Sequence, residues 1–325
     1  MATYKEIFGT NIEVLASDPA NPVTGQVWYN STDNVIKGAA ATTAGAWATG
    51  GNMNTARSEI CGSGTQTSAL AFGGEAPPFT GATESYNGSA WTETGDLNTA
   101  RAGLGGIGIL TATLAFGGQT GPANVGNTES FNGTSWTEVN DLNTGRSAVL
   151  GSAGDTTAGL AFGGYEGAAR AETEEWNGTS WTEVADLNVA KYGMGSNGTQ
   201  TSALGYGGQN SVTNESWNGT SWTEVGDLNT PRGYTGGAGV DNTAALAYGG
   251  GNPIPTAEAN VEEWNGTSWT ETTNMSTARG RFASSGTQTA ALASSGYITP
   301  TDSRTTATEE WTGAGSPLTV TFTDS

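Results

Sequence analysis

The side chains with the clearest chemical potential in this chain are cations. Six of its eleven Lys and Arg residues, Arg57, Arg101, Arg146, Lys191, Arg232 and Arg279, recur about once every 45 residues. Each closes an Asp-Leu-Asn-Thr-x-Arg-like segment such as Asp96 to Arg101. Cations gathered on one axis would dock an anionic group through charge-assisted hydrogen bonds. In the competing reading each one pairs with a nearby Asp or Glu, or with loop carbonyls, and holds neighbouring units together. Carboxylates recur too, at Glu93, Glu138, Glu183, Glu224 and Glu271. A glycosidase needs one acid pair at one place, so glutamates that return in every unit read as structural. The chain contains no His, which removes Ser-His-Asp and Cys-His machinery and nearly every zinc or copper site. No catalytic residue, no metal site and no cofactor is expected.

The elements that must position these residues are short strands. Gly accounts for 51 of 325 residues, while 35% of the chain is apolar and 13% charged. That profile fits strands and tight turns, and eleven Trp, ten of them regularly placed, argue against disorder. A net charge of -20 disfavours nucleic acid and anionic membranes as partners. Cys61 is the single cysteine, so no intrachain disulfide forms. No apolar run is long enough to span a bilayer. Residues 1 to 18 lack the basic and apolar regions of a secretory signal, so assembly inside the producing cell is expected.

Self-alignment exposes the repeat. Leu70-Ala71-Phe72-Gly73-Gly74 returns with its second Gly at 118, 164, 208 and 250, and in altered form as Leu292-Ala293-Ser294-Ser295-Gly296. Behind each copy come an acidic residue and an aromatic: Glu84/Tyr86, Glu129/Phe131, Glu174/Trp176, Glu215/Trp217, Glu262/Trp264 and Glu309/Trp311. An Asn-Gly pair follows in five copies, read as a hairpin turn with φ > 0 at both positions, and then a second Trp at 91, 136, 181, 222 and 269. Ten of the eleven Trp occupy the two recurrent aromatic positions, which reads as packing between units rather than a sugar platform. Asn-Gly-Ser/Thr is formally a glycosylation sequon, but the turn explains it better.

The doublet Gly73-Gly74, the following Glu84-x-Tyr86, Trp91 at a fixed interval and Leu97 leading to Arg101 resemble the kelch repeat, in phase over roughly residues 47 to 322. The resemblance implies an all-β, six-bladed kelch-like β-propeller across residues 46–325. It also implies that the six cations open the innermost strands near one channel mouth. There they would form a positive funnel for an anionic group such as a carboxylated or sulfated surface glycan. The copper-radical oxidases on this fold need His ligands and are excluded, and no Asp-box of a sialidase is present. Trp47 to Arg57 matches Trp91 to Arg101, so either this strand or Leu318 to Thr323 closes the last blade. The carboxy-terminal strand is slightly favoured, because it follows Trp311 at nearly the usual spacing. The sixth unit lacks its Gly pair, its Asn-Gly turn and its second Trp, so closure is expected to be weakest there.

Residues 1–45 stand outside the repeat. Gln26 to Asn30, Asp33-Asn34 and Val35 to Lys37 read as a hairpin, followed by an Ala/Thr/Gly linker from Gly38 to Gly45. Gly25-Gln26-Val27-Trp28-Tyr29-Asn30-Ser31 resembles short hairpin modules of tail-fibre and other virion proteins of tailed bacteriophages. The expectation is therefore a non-enzymatic virion structural protein, a tail fibre, appendage or capsid decoration. It would attach to other virion proteins through residues 1–45 and display the propeller for adhesion, with a host surface glycan as partner. Loops of uneven length, Glu75 to Thr83 and Gly251 to Val261, would provide variable contacts. The alternatives are a cellular kelch-type adaptor for an acidic peptide and, ranked last, a glycan-active enzyme. Oligomeric state stays open.

Overall fold

A computed structural model describes residues 12–19, 23, 25–41, 44–121, 123–148, 151–251, 256–299, 303–314 and 317–322. The amino-terminal residues 1–11, Pro22, residues 252–255 of the second variable loop and Thr323 lie outside them. The chain divides into two compact units, Ala46–Trp311 and Met1–Gly45 with Thr312–Ser325.

The larger unit contains six four-stranded antiparallel sheets, one per repeat, with no helix among the described residues. The first sheet is typical, with strands Cys61–Thr65, Ser68–Phe72, Thr83–Tyr86 and Trp91–Glu93 in sequence order. Its second strand, Ser-Ala-Leu-Ala-Phe, is buried on both faces apart from Ser68, because neighbouring sheets cover it. The first strands lie side by side in a cycle: Cys61–Thr65 against Gly105–Ile109, and so on through Gly151–Gly154, Gly195–Thr199, Gly236–Asp241 and Ala283–Thr287. The last of these contacts Cys61–Thr65 again. Glycine permits this crowding, since a Cβ on Gly62 would lie 2.7 Å from the Ser284 carbonyl oxygen. The architecture is β-propeller-like.

The aromatics bind sheet to sheet, as their fixed positions predict. Within each sheet the two recurrent rings pack at a tilt, with centroids 4.9 Å apart for Tyr86–Trp91 and 5.3 Å for Trp176–Trp181. The second Trp also reaches the preceding sheet, as in Phe72–Trp136 at 5.1 Å and Phe162–Trp222 at 4.6 Å. Its indole N–H then donates to a Thr hydroxyl of that sheet: Trp91 to Thr308, Trp136 to Thr83, Trp181 to Thr128 and Trp222 to Thr173.

The amino-terminal strand, not the favoured carboxy-terminal one, completes the sixth sheet. Ala46–Thr49 follows Ala283–Thr287, Ala290–Ser294 and Thr308–Thr312 in that sheet, and Trp47 packs at a tilt on Trp311 at 5.4 Å. The second Trp of the sixth repeat thus comes from the other end of the chain. Trp47 fills the second recurrent aromatic position of that sheet, against Trp311 and Tyr248.

The hairpin turns also differ from the two-residue form. Tyr86 pairs with Trp91, leaving a four-residue loop in which Gly88 alone has positive φ, +88°. The Asn87 side-chain oxygen accepts the N–H groups of Ser89 and Ala90 at 3.0 and 2.9 Å. This local side-chain bond replaces the second left-handed residue.

In the smaller unit, Val27–Asn30 and Val35–Ala41 form the expected hairpin. Glu13–Leu15 adds in parallel, and Pro317–Phe322 pairs along Val35–Ala41 from Ile36 to Ala41. The first part of the expected linker, residues 38–41, is therefore strand, and residues 312–325 belong to this unit rather than to the repeat unit.

Candidate functional site

The six cations lie inside the repeat unit. Arg57, Arg101, Arg146, Arg232 and Arg279 are 0% exposed and Lys191 is 2% exposed. Each faces the glutamate of its own sheet's third strand. Arg57–Glu84 is 2.8 Å, Arg101–Glu129 3.3 Å, Arg146–Glu174 2.9 Å, Lys191–Glu215 3.6 Å and Arg279–Glu309 2.7 Å, and Arg232 contacts Glu262 in the same way. Burial pushes the Arg57 and Arg101 guanidinium groups below their ordinary value, and the charges of Glu84 and Glu129 oppose it. The expected surface funnel is not formed; the pairing alternative describes these residues.

The same glutamate explains the rest of the motif. Glu84 Oε2 accepts the backbone N–H of Asn54 at 2.7 Å and its side-chain N–H at 2.9 Å, and Asn54 also donates to the Trp91 carbonyl. Asn98 on Glu129, Asn143 on Glu174, Asn188 on Glu215 and Asn229 on Glu262 repeat this. Asp96 accepts the Thr83 N–H at 3.1 Å, and Leu97 is buried. Asp-Leu-Asn-Thr-x-Arg is thus a device that satisfies a buried carboxylate from both sides.

Two residues beyond each cation, the backbone turns left-handed. Glu59, Gly103, Ala148, Gly193, Tyr234 and Arg281 have φ between +51° and +64°. Five backbone bonds link them from repeat to repeat, including Glu59 N–H to Arg281 O at 2.8 Å and Gly103 N–H to Glu59 O at 2.9 Å. Four of the six are not glycine, and each holds a conformation that disfavours L-residues by about 1–2 kcal/mol. This ring precedes the first strands, next to an axial cavity of about 140 Å³ that is lined by all six of them and carries no ionisable side chain except Cys61.

On the ring the repeat symmetry breaks, and side chains unique to one place meet. Arg281 pairs with Glu59 at 2.6 Å, and its guanidinium carbon lies 4.5 Å from the Tyr234 ring centre. Tyr192 stands edge-on to Tyr234 at 6.2 Å and to Tyr165 at 5.2 Å. Gln119 donates to the second Glu59 oxygen at 3.2 Å. Burial pushes the Tyr234 hydroxyl up to about 12. These rings and the Glu59–Gln119 pair border a cavity of about 210 Å³.

Sequence reading passed over this cluster because it follows no repeat. A signal was present: positions that are Gly, Ala or Ser in some copies carry Tyr192, Tyr234, Glu59 or Arg281 in others. Among the described residues, no group of three or more metal-ligating side chains occurs.

Fold and site together define a propeller-like, all-β repeat protein with an asymmetric, tyrosine-lined cavity. Neither the protein-family models nor the curated proteins contain a match to this chain.

Proposed function

We propose that this chain is a non-catalytic virion structural protein of a tailed phage: a six-bladed kelch-like propeller displayed for adhesion, carried by a separate attachment unit. The observation behind this reading is the small sheet that joins Val27–Asn30 and Val35–Ala41 to Pro317–Phe322. Strands from both sides of the repeat in sequence meet there as a unit distinct from the repeats. It includes the hairpin segment Gly25 to Ser31 that resembles phage modules. The six-blade reading draws on the cycle of first-strand contacts and on one sheet per repeat. Host binding is assigned to the asymmetric face of the repeat unit, since the cations are occupied by glutamates.

Mass spectrometry of purified virions tests the setting. The chain is expected among the particle proteins in stoichiometric amounts; its absence from particles would end the virion reading.

A further inference from the structure

We infer that the cavity between Tyr165, Tyr192, Tyr234, Glu59 and Gln119 is a binding site for one neutral sugar ring. The inference deepens the adhesion reading and takes its biological setting from it, while the chemistry stands on the geometry below.

The tyrosines are arranged edge to face, with interplanar angles of 70° for Tyr165–Tyr192 and 65° for Tyr192–Tyr234. Such an arrangement keeps the three rings out of a single stack, and all three line the cavity. A pyranose offers C–H groups on its ring faces and hydroxyls around its rim. Glu59 and Gln119 supply planar acceptor and donor groups beside the rings, already held by their mutual bond at 3.2 Å. Rigid polar groups of this kind lose little freedom when a ligand arrives. A volume of about 210 Å³ falls below the range of roughly 300–1,000 Å³ typical of drug-sized pockets, and suits one ring.

Charge selects between ligand classes. Three tyrosines and a carboxylate could cage a quaternary ammonium group. Here, however, Arg281 already lies on the Tyr234 ring and pairs with Glu59, so the cation place is taken. An anionic sugar finds no free positive charge, because Glu59 holds Arg281, and the whole chain carries a charge of -20. A neutral ring is the remaining fit. The positive φ of Tyr234, Arg281 and Glu59 places these three side chains at successive steps around the ring, a conformation that glycine would hold with less strain.

Saturation-transfer NMR on the purified full chain tests this with methyl α-glucopyranoside, methyl α-mannopyranoside, methyl β-galactopyranoside and methyl N-acetylglucosaminide. Choline and sialic acid serve as the cationic and anionic comparisons. At least one neutral glycoside is expected to bind, with choline and sialic acid weaker by tenfold or more. Tyr192→Ala and Gln119→Ala should each weaken that binding at least tenfold, and Tyr192→Phe should retain it, since the ring face is what is used. Folding of each variant is checked by the near-ultraviolet signal of the buried Trp pairs. Binding of none of the four neutral probes, preference for choline or sialic acid, or full binding by folded Tyr192→Ala would overturn the assignment. Virion mass spectrometry reads the setting alone, so the site and the setting can fail separately.

Discussion

Ser295 and Arg57, 238 positions apart in the chain, are locked together where the last repeat meets the first. The Arg57 N–H donates to Ser295 Oγ at 2.8 Å, and that hydroxyl lies 2.7 Å from the Arg57 carbonyl oxygen and 2.8 Å from that of Thr305. Gly296 N–H also reaches the Arg57 carbonyl at 2.8 Å, matching Gly74 to Arg101 and Gly118 to Arg146 at other sheet boundaries. The serine that replaces a glycine therefore adds bonds at the seam, where the sequence predicts weakness. It does so at φ +62°, a strained angle for serine.

Two opposing effects meet at position 295, and their balance is measurable. Ser295→Ala keeps the strained backbone and leaves the buried Arg57 N–H without its acceptor, which costs roughly 1–3 kcal/mol. Ser295→Gly loses the same bond but relieves strain of about 1–2 kcal/mol, so it should be the milder change. Urea unfolding should show the midpoint falling further for the alanine variant, with an unchanged slope for both.

The buried ion pairs should behave as units. Arg146→Met alone leaves Glu174 charged and buried, at a cost of about 3–5 kcal/mol. Adding Glu174→Gln removes that charge while keeping an oxygen for the Asn143 donors, which bond Glu174 at 2.8 Å in the native protein. The double variant should therefore be more stable than Arg146→Met. A double-mutant cycle by chemical denaturation checks this; equal stability of the two would contradict the clamp.

Two indoles at the second Trp position, Trp269 and Trp47 at the seam, lack the Thr acceptor that Trp91, Trp136, Trp181 and Trp222 have. Trp47 Nε1 is buried without a partner, because the repeat position filled by Thr83, Thr128, Thr173 and Thr308 is Val261 in the sheet it packs against. Val261→Thr should supply the acceptor and raise stability by about 1 kcal/mol, while Thr128→Val should lower it by a similar amount through Trp181. Thermal unfolding of the two variants should move in opposite directions.

The smaller unit should be sensitive to acid. Lys37 chiefly, with Asn30 and Trp28, bonds the Asp18 carboxylate and lowers its pKa from the ordinary 3.8 to about 2. A carboxylate held down in the folded state stabilises that state above pH 3.8 and stops doing so as the pH falls toward 2. Fluorescence of buried Trp28, whose indole donates to Asp18 at 3.1 Å, should change across that window and lose the transition in Asp18→Asn. A carboxyl resonance of Asp18 that titrates near 3.8 would contradict the network.

Much of the fold was legible in the sequence because the repeat multiplies every local signal. The Gly pairs, the Glu-x-aromatic strands, the spaced Trp and the hairpin of residues 27–41 all depend on neighbours a few positions away, so period and pattern sufficed. The partners of the cations, the strand that completes the sixth sheet and the asymmetric cavity were decided elsewhere. The linear reading allows Arg57 a nearby acidic partner without saying which, and burial selects Glu84. Trp47 could close the last repeat only once the fold had brought it to Trp311. The six cations that promised chemistry thus became internal supports. Tyr192, Tyr234 and Arg281, scattered over 90 positions, acquire a common surface because the backbone ring sets them side by side. Sequence determines which groups repeat; long-range packing determines which of them are buried in pairs and which unrepeated side chains come to lie together.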